Sequence, residues 1–218
     1  MTKIGNYELK TLIVRLVQTN CYILSLDKDC ILVDAAGDGS DIKQYINNNS
    51  LNLKTILITH GHYDHIEALD LLHKEFPDVK IYACDAEREV IEDKTKSLMD
   101  HELDSSTQNA ITYITDGTII KTLDLDIKFI NTPGHTIGSG CFYIEKLNIL
   151  FSGDTLFKDT YGRYDLPTGS AKQIAKSIAI KLMEFNDDLV VYPGHGFKTT
   201  IGHEKENNDI IKYYKNIE

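Results

Sequence analysis

The segment HGHYDHI, residues 60–66, holds three of the eight histidines of the chain together with an aspartate. Neutral imidazole is a common ligand of zinc and iron, and a carboxylate contributes negative charge to a metal site. His60 and His62 are two positions apart, so on an extended segment both side chains point to the same side. Asp64 and His65 would then begin a helix and face another direction. One short loop could therefore supply ligands to two adjacent ions.

Three further polar loops follow apolar, strand-like runs. His135 lies in TPGHT, Asp154 in FSGDT and His195 in YPGHG. Loops at strand ends commonly carry functional groups, because the sheet fixes their position while the loop reaches solvent. Together with the first segment they give more candidate ligands than one tetrahedral ion can use, which favours two ions that share a ligand. The candidates are His60, His62, Asp64, His65, His135, Asp154 and His195.

The remaining titratable residues are interpreted more conservatively. His73, His101 and His203 lie outside these loops and are expected to be ordinary surface or hydrogen-bonding residues. Asp34, in LVDAAG, is either a hydrogen-bond partner of a ligand imidazole or unrelated to the site. The four cysteines are scattered, with no C-x-x-C pair, as expected for buried thiols in a reducing compartment.

Composition limits the possible partners. The chain has 218 residues, 42% of them hydrophobic and 26% charged, which is typical of globular proteins. A formal net charge of −10 argues against nucleic-acid binding. The N-terminus has no apolar signal-peptide core, and no apolar run approaches the ~20 residues that span a bilayer. We therefore expect a cytoplasmic protein without membrane partners.

The elements that position these loops alternate along the chain. The patterns predict an α/β (α+β) fold with helices outside two packed sheets, in a single domain over 1–218. They give no detail for residues 85–115. Strands are expected at 12–17, 21–26, 30–37, 54–60, 80–84, 118–132 (two strands), 141–146 and 147–153, a last strand and its loop at 189–196, and helices at 38–49, 64–76, 170–185 and 202–215.

The motifs VDAAG, THGHYDHI, TPGHT, FSGDTLF and YPGHG occur in an order that resembles the metallo-β-lactamase superfamily. The resemblance spans nearly the whole chain and implies an αββα sandwich with a metal site at the edges of the sheets. It further implies that one set of residues binds the first ion, another set the second, and a bridging carboxylate both, with Asp64 and Asp154 also taking part in catalysis. By position, the first set is His60, His62 and His135, the second is Asp64, His65 and His195, and the bridge is Asp154.

Within that superfamily, residues 153–170 and 193–208 are similar to short, single-domain, glyoxalase-II-like hydroxyacylglutathione hydrolases. The resemblance implies hydrolysis of a small-molecule thioester by a hydroxide that bridges two divalent ions, with zinc expected and iron or manganese as alternatives. Lys158 and Arg163, in the loop after Asp154, could contact a substrate carboxylate or could simply be solvated charges.

Other functions remain open at this point. A persulfide dioxygenase with one iron would leave Asp64, His65 and His195 without full metal-binding roles. A metallo-hydrolase of another ester or lactone fits the same ligands. A β-lactamase also fits them, but no secretory signal is recognised, and a non-catalytic binding module is disfavoured because every expected ligand is present. The acyl group, the thiol carrier, the native metal and the oligomeric state are left undetermined by the sequence.

Overall fold

Two β-sheets form the centre of the molecule, of which the computed structural model describes residues 1–14 and 17–215. Within these residues the first sheet has seven strands, which lie side by side in chain order. They are β1 (Thr2–Ile4), β2 (Tyr7–Val14), β3 (Thr19–Leu26), β4 (Asp29–Val33), β5 (Asn52–Leu57), β6 (Lys80–Cys84) and β7 (Ile111–Ile114). Neighbouring strands are antiparallel from β1 to β4 and parallel from β4 to β7.

The second sheet is formed by the second half of the chain. The strands of this half are β8 (Ile119–Thr122), β9 (Leu125–Asn131), β10 (Gly140–Ile144), β11 (Ile149–Gly153), β12 (Leu156–Phe157), β13 (Thr160–Tyr161), β14 (Val190–Pro193) and β15 (Thr199–Thr200). The strand order of the sheet is β15-β14-β11-β10-β9-β8, and β11 and β14 pair in parallel while the other neighbours are antiparallel. A small antiparallel ribbon, β12 with β13, lies between β11 and β14 in the sequence.

Helices cover the outer faces of both sheets. Three of them begin at side-chain caps, where Asp93, Ser170 and Thr200 accept backbone N–H groups of the first turn. The helices are α1 (Ser40–Asn48), α2 (Tyr63–Ile66), α3 (Leu69–Glu75), α4 (Arg88–Ile91), α5 (Lys94–Ser97), α6 (Ser105–Ala110), α7 (Ala171–Lys176), α8 (Ile201–Asn207) and α9 (Asp209–Lys215). A π-helical turn, Ser177–Leu182, continues α7, and short 3₁₀ turns lie at Asp85–Glu87 and Glu145–Leu147.

The apolar residues separate into three layers. One cluster packs Ile42 and Leu69 of the helices against the first sheet, and another packs Ile174 of α7 against the second sheet. The middle cluster lies between the sheets and includes the fully buried rings of Phe129 and Phe142. Alternate side chains of each strand thus face the sheet interface or a helix layer. The order helix, sheet, sheet, helix confirms the predicted αββα sandwich.

Some element boundaries differ from the prediction. The first expected strand, 12–17, corresponds to β2, which begins earlier, at Tyr7, and is described to Val14; Arg15 and Leu16 lie outside the described residues. The sequence pattern also gave no indication of β1, β15 or the short ribbon β12–β13.

The helix expected over 64–76 is two helices, α2 and α3. The break has a specific cause in the loop after β4: Ala35 N–H donates to the carbonyl of His65 (2.8 Å), and Ala68 N–H donates to the carbonyl of Ala35 (2.9 Å). These bonds replace helical hydrogen bonds at that point. The tail predicted as one helix is likewise two, because Asn208 adopts an extended backbone and its amide donates to the Thr160 carbonyl and to Glu204.

No helix among the described residues combines the length and the apolar character that crossing a bilayer requires.

Removing a ring from the layer between the sheets should destabilise the fold strongly. We expect Phe142→Ala to lower the free energy of unfolding by about 3–5 kcal/mol, because it leaves a cavity where the two sheets cannot collapse. Urea titrations in excess EDTA would measure this without a metal contribution. The matched control is Phe197→Ala, whose ring is 82% exposed and should change stability by less than about 0.5 kcal/mol. Equal effects for both variants would contradict the assigned core.

Candidate metal centre

The seven predicted ligands meet at one edge of the sandwich because each follows the end of a strand. His60 and His62 follow β5, His135 follows β9, Asp154 follows β11 and His195 follows β14. In the second sheet β11 and β14 are parallel, and β9 and β11 are both antiparallel to β10. The carboxyl ends of β9, β11 and β14 therefore lie at the same edge.

Hydrogen bonds between the two sheets bring the two sets of loops together. Asn20 N–H of the first sheet donates to the Gly194 carbonyl (2.7 Å), and the Tyr22 hydroxyl donates to the Pro193 carbonyl (2.6 Å). On the other side, Gly140 N–H donates to the Thr59 carbonyl (2.9 Å). These contacts fix the loop of the second sheet that carries His195 against the loop of the first sheet.

Three imidazole nitrogens converge in the first group. His135 Nε2 lies 2.9 Å from His62 Nδ1 and 3.2 Å from His60 Nε2. All three side chains are almost fully buried. Their ligand atoms are close enough to one another to share a single ion.

The second group consists of Asp64, His65 and His195. Asp64 Oδ2 is 3.4 Å from His65 Nε2 and 3.3 Å from His195 Nε2. Asp154 joins the groups, because its Oδ1 lies 3.5 Å from His65 Nε2 and its Oδ2 lies 3.6 Å from His135 Nε2. The structure thus brings together all seven residues that the sequence singled out.

The outer nitrogens of three imidazoles are held by hydrogen-bond acceptors. His65 Nδ1 donates to Asp34 Oδ2 (2.8 Å), His135 Nδ1 to the Arg163 carbonyl (2.7 Å) and His195 Nδ1 to the Val17 carbonyl (3.0 Å). Carboxylates and carbonyls only accept, so in the neutral rings the proton lies on Nδ1 and the Nε2 lone pair faces the cluster. Asp34 is therefore a partner of a candidate ligand imidazole, one of the two interpretations that the sequence left open.

The cluster has the donor set and the unmet polar atoms of a cation site. Asp154 Oδ1 is buried and, within the described chain, has no hydrogen-bond partner. Inward-facing imidazole lone pairs and carboxylates repel one another unless protons or cations lie between them. Imidazole and carboxylate groups in this number fit one or two divalent ions of the zinc or iron type.

Burial sets the protonation of the first group. It lowers the pKa of His60 well below the usual value, and the neighbouring imidazoles lower it further. Burial followed by the adjacent His135 lowers the pKa of His62 to about 3. Burial also lowers the pKa of His135 itself. All three rings are therefore neutral near pH 7, which is the form that binds metals.

Carboxylates dominate the second group. Burial opposes charge on His65, but Asp34, Asp64 and Asp154 together outweigh it and raise its pKa well above the usual value. Burial is likewise outweighed at His195, where hydrogen bonds to Asp154 and Asp64 raise the pKa to about 10. At the carboxylates, the attraction of the His65 and His195 imidazoles outweighs burial. It lowers the pKa of Asp64, and it lowers the pKa of Asp154 to about 2.

The two predicted substrate residues have different surroundings. Lys158 is exposed. The Arg163 guanidinium forms two hydrogen bonds with Asp165 (2.8 and 2.9 Å), and it is the backbone carbonyl of Arg163 that reaches His135. Neither side chain lines the cleft beside Asp64. Their contact with a substrate stays a prediction.

A cleft of about 300 Å³ opens beside Asp64. Thr19 lies in its wall and donates its hydroxyl to Asp64 Oδ2 (2.8 Å), a contact that no sequence motif indicated. His101, kept out of the predicted metal site, also lines the cleft and pairs with Asp100. Much of the lining is apolar. The apolar residues include Val14, Val17 and Tyr63, together with Leu98 and Met99 from the segment after α5.

The other histidines lie outside the cluster. His73 Nδ1 contacts the Thr107 hydroxyl (3.4 Å). His203 Nε2 contacts Asp159 (2.5 Å) and lies near Glu204. Asp159, His203 and Glu204 form a further group of side chains of the kind that bind metals. They are already engaged in internal hydrogen bonds, since Glu204 accepts from Asp159 N–H and from the Thr199 hydroxyl.

Comparison with known proteins agrees with this geometry. The family described as the Metallo-beta-lactamase superfamily matches residues 14–195. Hydroxyacylglutathione hydrolase GloC of Haemophilus influenzae is 32% identical over 201 residues, covering 89% of this chain and 93% of GloC. The chain therefore belongs to the metallo-β-lactamase superfamily, whose fold indicates a metal-dependent hydrolase.

Two solved structures have the same fold. The BLEG-1 B3 metallo-beta-lactamase superposes with a TM-score of 0.85 at 31% identity, over 94% of this chain and 99% of that one. TTHA1623, solved in a di-iron-bound form, superposes with a TM-score of 0.78 at 25% identity, over 91% of this chain and 98% of that one.

Metal binding should release protons from the second group. In metal-free protein at pH 7.5, His65 and His195 are protonated because their pKa values are raised, whereas ligands must be deprotonated. We expect saturation with Zn²⁺ to release at least two protons per chain, and Zn²⁺ affinity to rise with pH at values below the raised pKa of His195, about 10. Calorimetric titrations in buffers of different ionisation enthalpy measure the number of protons. A binding enthalpy independent of the buffer would contradict these protonation states.

Proposed function

We propose that the protein hydrolyses a small-molecule thioester with two divalent ions held at this edge of the sandwich. The observation that carries the proposal is the arrangement of the seven side chains in two groups, with Asp154 placed between them. A single tetrahedral ion would leave at least three of these side chains unused and buried without a cation. Two ions account for all of them.

The residues divide between the ions as the resemblance implies. The three imidazoles of His60, His62 and His135 would hold one ion, and the second group the other, with Asp154 contacting both. Divalent ions in such a site supply a hydroxide at neutral pH and polarise a carbonyl oxygen.

The other residues around the cluster orient these ligands. Asp34 holds the His65 ring through Nδ1, which fixes its tautomer and leaves Nε2 directed inward. The Thr19 hydroxyl holds Asp64 Oδ2 at the boundary between the cluster and the cleft. A leaving thiolate with an intrinsic pKa of about 8.5 requires no protein acid. The absence of a dedicated proton donor among the proposed roles is therefore consistent with a thioester.

The substrate class rests on the relative and on the cleft. GloC is named a hydroxyacylglutathione hydrolase and is matched over nearly its whole length. The cleft beside Asp64 is the size of a small-molecule site, and apolar side chains form much of its wall. Zinc is the metal we propose; the di-iron form of TTHA1623 supports iron as an alternative and supports a two-ion site.

A second candidate substrate has one specific observation in its favour. BLEG-1 is described as a B3 metallo-beta-lactamase, and its solved structure covers almost all of this chain at 31% identity. A β-lactam presents a strained amide to the same donor set. It therefore belongs in the first assay.

We expect thioesters to be the preferred substrates. Zinc-loaded protein should cleave a hydroxyacyl thioester, whether of glutathione or of N-acetylcysteamine, at least about 100-fold faster in kcat/KM than a β-lactam, since the thiolate leaves without protonation. Release of free thiol and opening of the lactam are followed in parallel, with persulfide-dependent oxygen uptake as a third assay. Oxygen uptake without thioesterase activity would contradict the proposal and favour the mononuclear-iron dioxygenase.

Asp154→Asn should disable the centre while leaving the fold intact. The change keeps the shape of the side chain but removes one negative charge between the two proposed ions, so at least one ion should bind more weakly. Because changes to groups behind the ligands already cost about 10–100-fold, we expect kcat/KM to fall by more than that, with metal content measured by elemental analysis. Asp126→Asn, at an exposed position of β9, is the control. Two bound ions and normal turnover in Asp154→Asn would disprove the bridging role.

A further inference from the structure

Glu87 is a buried carboxylate that neither the seven-residue cluster nor the proposed reaction uses. It ends the 3₁₀ turn Asp85–Glu87, directly before α4, and is 1% exposed. None of the ion pairs in the described residues involves it. Burial raises its pKa to about 7 against the opposing effect of its hydrogen bonds. A carboxylate placed where solvation is lost and no cation compensates costs stability, so its position requires an explanation.

All of its hydrogen-bond partners are donors. Gly61 N–H donates to Oε1 (2.8 Å), whereas Gly138 N–H (2.7 Å) and the Thr136 hydroxyl (2.9 Å) donate to Oε2. The Thr136 hydroxyl is oriented in turn by Ser139 Oγ (2.6 Å). Only a group that accepts hydrogen bonds at both of its oxygens can pair with all three donors, and the Glu87 carboxylate is such a group.

These donors belong to the two loops that form the first group of the candidate metal centre. Gly61 lies between His60 and His62, and Thr136 directly follows His135. The two loops come from different sheets, after β5 and after β9. One buried carboxylate therefore joins the backbone segments that carry all three imidazoles.

The junction is too close for a side chain at either glycine. A Cβ atom at residue 138 would lie 2.3 Å from the backbone N and 2.6 Å from Oε2 of Glu87. A Cβ atom at residue 61 would lie 2.8 Å from Ile91 Cγ1. All three distances are shorter than van der Waals contact, so the loops pack on Glu87 and α4 at the limit of backbone approach.

We propose that Glu87 is a positioning residue for the His60–His62–His135 site, where it holds the two loops so that the three imidazole nitrogens converge on one ion. The inference rests on the proposed metal-binding function. It is specific to one of the two sites, because the second group is held by other partners: Asp34 behind His65, and Thr19 beside Asp64.

The test is Glu87→Gln, which preserves size but presents an NH₂ group to one of the N–H donors in either orientation of the amide. Two binding constants for Zn²⁺ are measured by competition with a chromophoric chelator, and the visible spectrum of the Co²⁺-loaded protein reports the geometry of each site. We expect one of the two sites to weaken by about 10–100-fold with an altered Co²⁺ spectrum, while the other site stays within about threefold of wild type.

Glu204→Gln is the matched control. Glu204 is equally buried and accepts three hydrogen bonds, from Asp159 N–H, the Thr199 hydroxyl and the Asn208 amide, none of which adjoins the three imidazoles. Like Glu87→Gln, the Glu204→Gln variant should be less stable to urea in EDTA. Unlike Glu87→Gln, it should leave both Zn²⁺ affinities and the Co²⁺ spectrum unchanged. If Glu87→Gln does not fold, Thr136→Val removes a single donor to the carboxylate and should weaken the same site to a smaller degree.

The outcomes separate this inference from the function on which it rests. Wild-type affinity at both sites in Glu87→Gln, or equal weakening of both sites, would overturn the positioning role while leaving the two-ion hydrolase intact. A wild-type protein that binds fewer than two ions would overturn the proposed function and this inference with it.

Discussion

Repulsion among buried acceptor atoms is the constraint on which the site depends. Five imidazoles and two carboxylates converge at one sheet edge, and the fixed Nδ1–H groups of His65, His135 and His195 direct their Nε2 lone pairs inward. Without positive charge between them, such an arrangement is unfavourable in a buried setting. The raised pKa of His195, about 10, shows how strongly the carboxylates attract positive charge to this point. Divalent ions would satisfy the same attraction without protons.

The sandwich is stable despite this repulsion because the contacts that stabilise it lie away from the candidate metal centre. The layer between the sheets is apolar and aromatic, and the cluster occupies the rim, where strands end. At that rim the two sheets are connected by backbone hydrogen bonds such as Asn20 N–H to the Gly194 carbonyl (2.7 Å). The candidate metal centre and the contacts that stabilise the fold thus lie largely in separate parts of the molecule.

The sequence identified the seven clustered side chains, the candidate ligands, better than it identified the residues that support them. Histidine and aspartate at H-x-H-x-D-H spacing, and polar residues after apolar runs, are local signals, and they identified all seven clustered residues. Glu87 and Thr19 act on loops far from them in the sequence, and the outer partners of His135 and His195 are backbone carbonyls, which any residue type provides. The same limit explains the divided helix at 64–76. There, hydrogen bonds with Ala35, which lies in the loop after β4, override a continuous helical pattern.

The central claim is that the seven side chains hold two ions with Asp154 between them. Anomalous diffraction at the zinc edge, from crystals grown with Zn²⁺, tests it most directly. The account predicts two anomalous peaks about 3.5–4 Å apart, one beside His60, His62 and His135, the other beside Asp64, His65 and His195, with Asp154 contacting both. A single peak at full occupancy, with one group of side chains turned away from it, would contradict the account.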